Sequence, residues 1–576
     1  MDAHKALISD IFNGLTLIEI PFFQRSYVWK EDLWARLIED MEFVVKTKKS
    51  HFLGSIILKE GRKPLPGEMF AVRKTVVDGQ QRLTTFLIFL KVLCLKTKQV
   101  LFDSQFRIRG HEMALRHGKN DIDAFEKTMS MTEAEKINDY KTPSRIIEVY
   151  NYFIDHIHED KLSIMDIIMN TQFVRIDLDA DEDEQQIFDT INSLGVNLTT
   201  SELLKNYFFS RETVREYELK WAQVFEKDDE TKTYWDTEIE TGRIKRAMID
   251  IFFDAYFQLF IQDKKYNISN EDKLMYERID RLSQSYQHFI NNYCEGNKNV
   301  VLENMREYAE CFMRTFRPEQ CNMEVPRQGG IERLNVIIFG LKNTTLIPYV
   351  LYLVKNIKEQ SELMKICSVI ESYLMRRMIV HAPTKNYNKL FTSFIRNNVM
   401  DADSLLSRLQ KNEDATTYIP DDIELQNGFD TSKLINLQTR GIIYLLESVI
   451  RPTNSATILM GFNSYSLEHL MPKKWRNNWP ACESGELARK RDSVLLTMGN
   501  LAIIPQSLNA SIRDAEWGVK KSGKGNNPGL TICAGGLYTL SDVLNKNEWN
   551  EIEIQKRASW LCEEATKVWK LQILMK

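Results

Sequence analysis

Cysteine is sparse and scattered in this chain: eight residues (94, 294, 311, 321, 367, 482, 533 and 562) among 576, with no C-x-x-C pair. That spacing argues against a zinc knuckle and against a secreted disulfide framework. Long apolar runs are missing too. The greasiest stretch, Leu83 to Leu95, is interrupted by Lys91 and is too short to span a bilayer. No apolar h-region follows the first residues, so no signal peptide is expected. Net charge is nearly absent: 76 Lys/Arg stand against 80 Asp/Glu, a balance of −4. That rules out a molecule basic throughout but leaves room for a local phosphate-binding patch. No internal repeat suggests a solenoid. These absences predict a soluble, cytoplasmic protein with no membrane partner.

What is present is ordinary globular material, 43% hydrophobic and 27% charged. At about 150 residues per domain the length suggests three or four domains. Three textures separate along the chain. Residues 1–210 mix strands with amphipathic helices. The runs Phe52 to Leu58 and Thr75 to Val77 are β-branched and apolar, and Phe173 to Leu178 alternates with period two. Leu33, Trp34, Leu37, Ile38, Met41, Val44 and Val45 recur at helical spacing behind the acidic start Glu31-Asp32. Residues 211–420 carry helical periodicity with aromatic stripes, as in Ile249 to Phe260 and Leu346 to Val354, and read as a helical connector. The polar stretch Asn412 to Asp430, with Pro420 and Gly428, is the expected linker. Residues 421–576 have short apolar runs, many loop residues and a closing helix from about Glu551.

The first chemically suggestive segment is T-V-V-D-G-Q-Q-R-L-T-T, residues 75–85. It passes from a strand through a glycine turn at Gly79 into an apolar helix. The N-terminus of that helix presents unpaired N–H groups, Arg82 adds a fork matched to phosphate, and Asp78 offers a carboxylate to a metal or a water. The same residues read equally well as a capped helix whose Gln80, Gln81 and Arg82 merely satisfy the turn. Two further segments add polar groups. Ile20 to Trp29 is an extended, Pro-led stretch containing Gln24 and Arg25. Phe188 to Asn206 reads as helix, glycine stop and helix. In the latter, Thr199 and Glu202 have capping-box spacing, which leaves Asn192 and Asn197 for a ligand.

These segments, I-P-x-x-Q-R-x-Y-x-W, D-G-Q-Q-R-L-T-T and N-x-x-G-x-x-L-T-x-x-E-L-x-K-N, resemble the N-terminal domain of GmrSD-like type IV restriction enzymes. That domain is similar to the ParB and sulfiredoxin nucleotidase fold, and the resemblance spans roughly residues 8 to 210. It implies a site for a nucleoside triphosphate formed by Asp78, Gly79, Gln80, Gln81 and Arg82, joined by Gln24, Arg25 and Asn192. It also implies a role in sensing modified DNA. The run from Gly518 to Gly525 approaches a P-loop but has Gly525 where a Mg²⁺-binding hydroxyl belongs. It is expected to be a mobile basic loop.

The second segment surrounds His469, in E-H-L-M-P-K-K from Glu468 to Lys474. A carboxylate beside an imidazole offers one metal ligand and one general base, both of which phosphodiester hydrolysis uses. Downstream lie Asn500, Asn509, Trp517 and Lys520. Between Asn463 and Pro528 ten Lys/Arg face six Asp/Glu, so this stretch is basic inside an acidic chain. Singly, each residue has a structural explanation; the cluster points to a site. The order E-H-x-x-P, G-N-L, N, K over roughly residues 425 to 565 resembles the HNH (ββα-metal) nuclease domain that forms the other half of GmrSD-like enzymes. The resemblance implies His469 as general base, Glu468 and Asn509 as ligands of Mg²⁺ or Mn²⁺, Asn500 as a brace and Lys520 on phosphate. Lys520 stands where many such nucleases have His or Asn.

The expected fold class is therefore multidomain α+β and predominantly helical. It comprises a ParB/sulfiredoxin-like α/β sensor (1–210), a helical connector (211–420) and a ββα-metal nuclease domain (421–576). The expected function is a modification-dependent DNA endonuclease of phage defence, with modified phage DNA and a nucleotide as partners and a homodimer allowed. Two rivals are a standalone nucleoside triphosphatase with a DNA-binding C-terminal half, and a non-enzymatic ParB-like nucleotide-switched clamp.

Overall fold

The computed structural model describes residues 2–572 apart from 22, 23, 25, 62–69, 180–198, 210–212, 243, 434, 435, 456, 507 and 509–513. The chain forms two compact units, Met1–Glu218 and Leu219–Lys576.

The first unit is built on a mixed sheet. Its strands are β1 (Asp2–Leu7), β2 (Thr16–Glu19), β3 (His51–Glu60), β4 (Val72–Asp78), β5 (Leu115–Arg116) and β6 (Thr171–Leu178), in the order β1-β6-β3-β4-β2-β5. β1 runs antiparallel to β6 and β3 antiparallel to β4, while the β3–β6, β2–β4 and β2–β5 pairs are parallel. Helix Gln80–Lys96 is buried on every side from Leu83 to Cys94. This explains its weak amphipathic pattern: a helix surrounded by protein needs no polar face. Phe86 meets Phe173 of β6 at 5.9 Å and Phe89 meets Phe153 at 5.6 Å. The helix is thereby fixed between the sheet and helix Arg145–His156. The helix expected from Leu33 to Val45 spans Glu31–Thr47.

The second unit is largely helical. Met248–Gln262, Asn299–Thr315, Ile347–Asn356, Gln360–Ile379 and Tyr387–Arg396 are among its helices. Trp221, Phe225, Trp235, Phe252, Phe253 and Phe312 stack into one aromatic core. The polar stretch expected as a linker instead contains a helix, Asp422–Thr431, capped by Asp421. Gly428 lies so close to Ile379 that an added Cβ would sit 2.9 Å from its carbonyl oxygen. The glycine that suggested a loop permits a close helix contact instead. Buried polar contacts join the connector to the C-terminal segment: Arg333 pairs with Glu371 at 2.6 Å, and Trp569 donates to the same carboxylate. Arg333 also donates to the Ser448 hydroxyl at 2.7 Å and the Leu445 carbonyl at 3.0 Å. Residues 219–420 and 421–572 therefore share one unit.

All eight cysteines are free. Among the described residues, no helix is long and apolar enough to cross a membrane.

Candidate active site

In the first unit β4 ends at Asp78, and Gly79 (φ 96°) turns the chain directly into helix Gln80–Lys96. Gly79 packs against Ile56 of β3, so the turn is tight in space as well as in torsion. Of the two glutamines, Gln81 has a definite task. Its Oε1 accepts the Val28 amide at 2.9 Å and its Nε2 donates to the Ser26 carbonyl at 3.3 Å. A single side chain thus pairs with the extended segment as a neighbouring strand would. Between those contacts, Tyr27 donates its amide to Asp121 at 2.6 Å, and its hydroxyl meets Thr85 at 2.7 Å and Trp34 at 2.9 Å. The first two sequence motifs form one structure, joined by Gln81.

Arg82 is the more accessible of these side chains. It is about one third exposed, reaches Asp78 at 3.4 Å and donates to the Ser55 carbonyl at 3.1 Å. It lies over Gly54 (φ +120°), at a register shift between β3 and β6, where any Cβ would fall 2.8 Å from the Arg82 Nε. Sequence reasoning missed Gly54; its place in a strand was the signal. Gln24 is buried with its Oε1 unpartnered among the described residues. Arg25 and Asn192 lie outside the described residues, while the capping box Thr199–Glu202 is formed.

In the second unit strand Tyr465–His469 pairs antiparallel with Leu501–Pro505, placing Glu468 opposite Ala502 and His469 opposite Leu501. Asn500, wholly buried, locks the turn beyond His469. Its Oδ1 accepts the Met471 amide at 2.8 Å and the Trp549 indole N–H at 3.0 Å. Its Nδ2 donates to the carbonyls of Met471 at 2.8 Å and Leu495 at 2.9 Å. With all four hydrogen-bonding positions filled, Asn500 is a brace. Arg557, also buried, gathers the carbonyls of Gly499 at 2.8 Å and Leu501 at 2.7 Å, holding the same turn from beneath. Trp549 and Arg557 gave no sequence signal, since each acts on groups 49 to 58 residues away in the chain, Trp549 on the Asn500 side chain and Arg557 on backbone carbonyls.

His469 is half-buried, and its ring makes no hydrogen bond among the described residues. Burial, then the charges of Lys473 and Lys520, lower its pKa to about 4, so it is neutral at pH 7. Lys520 is placed differently from the expectation. It has 0% exposure, and its ammonium pairs with Glu468 while donating to the His469 carbonyl at 2.6 Å. So placed, it reaches no external phosphate; the exposed cation acting on His469 is Lys473. Burial pushes the Glu468 carboxyl up and the Lys520 amine down, and their mutual attraction opposes both. Asn509 lies outside the described residues, among which no three His, Cys, Asp or Glu side chains group as a metal site. The run expected as a mobile loop forms helix Trp517–Ser522 and a short hairpin, which carries Lys520 inward.

Two family models match the chain. The N-terminal domain of the GmrSD restriction endonuclease matches residues 6–209, and the C-terminal domain of GmrSD restriction endonucleases matches residues 419–564. No curated protein matches it.

Proposed function

The chain belongs to the GmrSD restriction endonucleases, and on that premise we propose that it cleaves modified phage DNA with an HNH-type site under the control of a nucleotide-binding N-terminal region. The observation that carries this reading is the His469 imidazole, neutral at pH 7 and without a hydrogen bond among the described residues, at the end of a strand braced by Asn500. A neutral, unengaged imidazole can take a proton from water as hydroxide attacks phosphorus. Lys473, exposed on the same turn, supplies positive charge for the scissile phosphate. Hard cations favour oxygen donors, so Glu468 and Asn509 would hold Mg²⁺ or Mn²⁺, with Lys520 sharing the Glu468 carboxylate. Such a cation, when bound, offsets charge developing on the leaving oxygen.

In the N-terminal region, the Asp78–Arg82 turn receives the phosphates of a nucleoside triphosphate. Arg82 is the part-exposed fork, and Gln24 keeps a buried oxygen free of partners among the described residues. Phosphate contacts alone carry no modification information, so discrimination is assigned elsewhere in the chain. The test is a cleavage panel of phage DNAs with defined modifications, run with Mg²⁺, with and without each nucleotide. Cleavage restricted to modified DNA supports the proposal. Indifference to both modification and nucleotide returns the chain to an unregulated nuclease, and absence of all nicking favours a clamp or a nucleotidase.

A further inference from the structure

The helical part of the second unit, which periodicity alone presents as scaffold, contains a cavity of about 470 Å³. That lies within the roughly 300–1,000 Å³ typical of small-molecule pockets. One face of helix Met248–Gln262 supplies much of its lining, through Ile251, Asp254, Ala255, Gln258, Ile261 and Gln262. These positions follow three- and four-residue spacing, so a single helical face turns to the cavity.

The lining is layered by burial. Leu274 and Ile279 of the lining are exposed, while its buried apolar part is Ile251, Ala255, Ile261 and, from the neighbouring helix, Ile347. Above it stands an ion pair, Arg246 to Asp254 at 3.3 Å, with the Arg246 guanidinium also donating to the Asp250 carbonyl at 3.0 Å. Gln258 is beside it, half-buried and without a hydrogen bond among the described residues. Lys389 and Arg396 are exposed in the lining, and Lys273 is half-buried. Neither lysine has an ion-pair partner among the described residues. Arg396 is oriented by its Nε donating to the buried Gln262 at 2.8 Å, which leaves its two terminal nitrogens free of described partners. Glu277 is the one acidic lining residue outside the Arg246–Asp254 pair.

An apolar floor accepts a flat, weakly polar body. A carboxylate and an amide above it accept and donate along an edge bearing N–H groups. Three unneutralised cations at the rim attract a polyanionic group. We propose that this cavity binds a phosphorylated nucleoside, with the base on Ile251 and Ile347, its N–H edge toward Asp254 and Gln258, and its phosphate at Lys273, Lys389 and Arg396. The ligand comes either free from solution or everted from a DNA strand. The proposal is independent of the Asp78–Arg82 site.

The experiment titrates the full-length protein by calorimetry with AMP, GMP, CMP and inorganic phosphate. It compares four proteins: the unchanged chain, Arg82→Ala, the double variant Lys273→Ala/Lys389→Ala, and all three changes together. Both lysines are outside the core, and circular dichroism checks that the fold is kept. The expected result is saturable mononucleotide binding that survives Arg82→Ala and weakens about threefold to tenfold for each rim cation removed. Inorganic phosphate should bind at least about tenfold more weakly because it lacks the body. Displacement of the mononucleotide by a short duplex with a mismatched base identifies the everted source, and no displacement identifies the free one. Mononucleotide binding unchanged by the lysine substitutions, or absent, overturns the proposal; so does binding of phosphate or a naphthalene sulfonate as tight as that of the nucleotides. If a parallel titration with a nucleoside triphosphate shows no loss of affinity in Arg82→Ala while the lysine variant weakens mononucleotide binding, the N-terminal nucleotide reading fails and this one stands.

Discussion

His469 and Lys520 show how far a single residue's chemistry depends on its surroundings. His469→Ala should abolish DNA cleavage while leaving unfolding free energy within about 1 kcal/mol, because a half-buried ring without hydrogen bonds contributes little packing. Cleavage by the purified variant would reassign the base. Since burial holds this imidazole's pKa near 4, below its usual 6.5, the acid limb of kcat/KM should fall near pH 4. The stability sign follows from linkage. Between about pH 6.5 and pH 4 the unfolded chain binds the extra proton, so His469 makes stability fall as pH falls, and His469→Ala should flatten that window. Lys520→Met should destabilise the fold by about 3–5 kcal/mol in urea unfolding, because it strands a buried carboxylate. Lys520→Met/Glu468→Leu should recover much of the loss; a single variant as stable as the parent chain would remove the pair from the core. The positions of Glu468 and His469 beside each other were legible from E-H-x-x-P. Burial of Lys520 was not, because the sequence reports a charge but not the helix that turns it inward.

At the scale of elements, the strand, turn and helix around Gly79 divide their labour between neighbouring side chains. Gln81→Ala removes two backbone contacts to Ser26 and Val28 and should cost about 1–3 kcal/mol of stability. Arg82→Ala should leave stability closer to that of the parent chain but weaken triphosphate binding by about 1.5–3 kcal/mol, roughly ten- to a hundredfold, with Arg82→Lys a poor rescue. Paired thermal melts and calorimetry separate the two effects. Equal nucleotide affinity in Arg82→Ala would leave the whole turn structural. The long periodic helices and the β-branched strands were readable because their patterns reflect local burial. The helix at Asp422–Thr431 was not: it is short and polar, and Pro420 and Gly428 gave it the composition of a loop although its caps are local. Gly54 and Gly428 escaped for a related reason, since a glycine's use lies in what approaches it.

At the scale of the whole molecule, the boundary at Glu218 falls eight residues beyond the texture change at 210, whereas the described structure keeps the connector and the C-terminal segment in one unit. Texture detects a change of element type; it misses a shared core stitched by Arg333, Glu371 and Trp569. If the two units communicate, linkage makes a strict demand: nucleotide must change DNA affinity by the factor by which DNA changes nucleotide affinity. Measuring both pairs tests this, and flat values in each, with cleavage indifferent to nucleotide, would mean the units are only tethered.

One contact also makes the C-terminal end observable by light. Six of the ten tryptophans lie between residues 475 and 569, and the Trp549 indole N–H is bound to the oxygen of Asn500. Ultraviolet emission from the intact chain is therefore weighted toward this end, and one of its emitters hangs directly on the brace beneath His469. An optical titration with cation or DNA would register any loosening of that brace without an added dye, and Trp549→Phe would identify how much of the signal belongs to it.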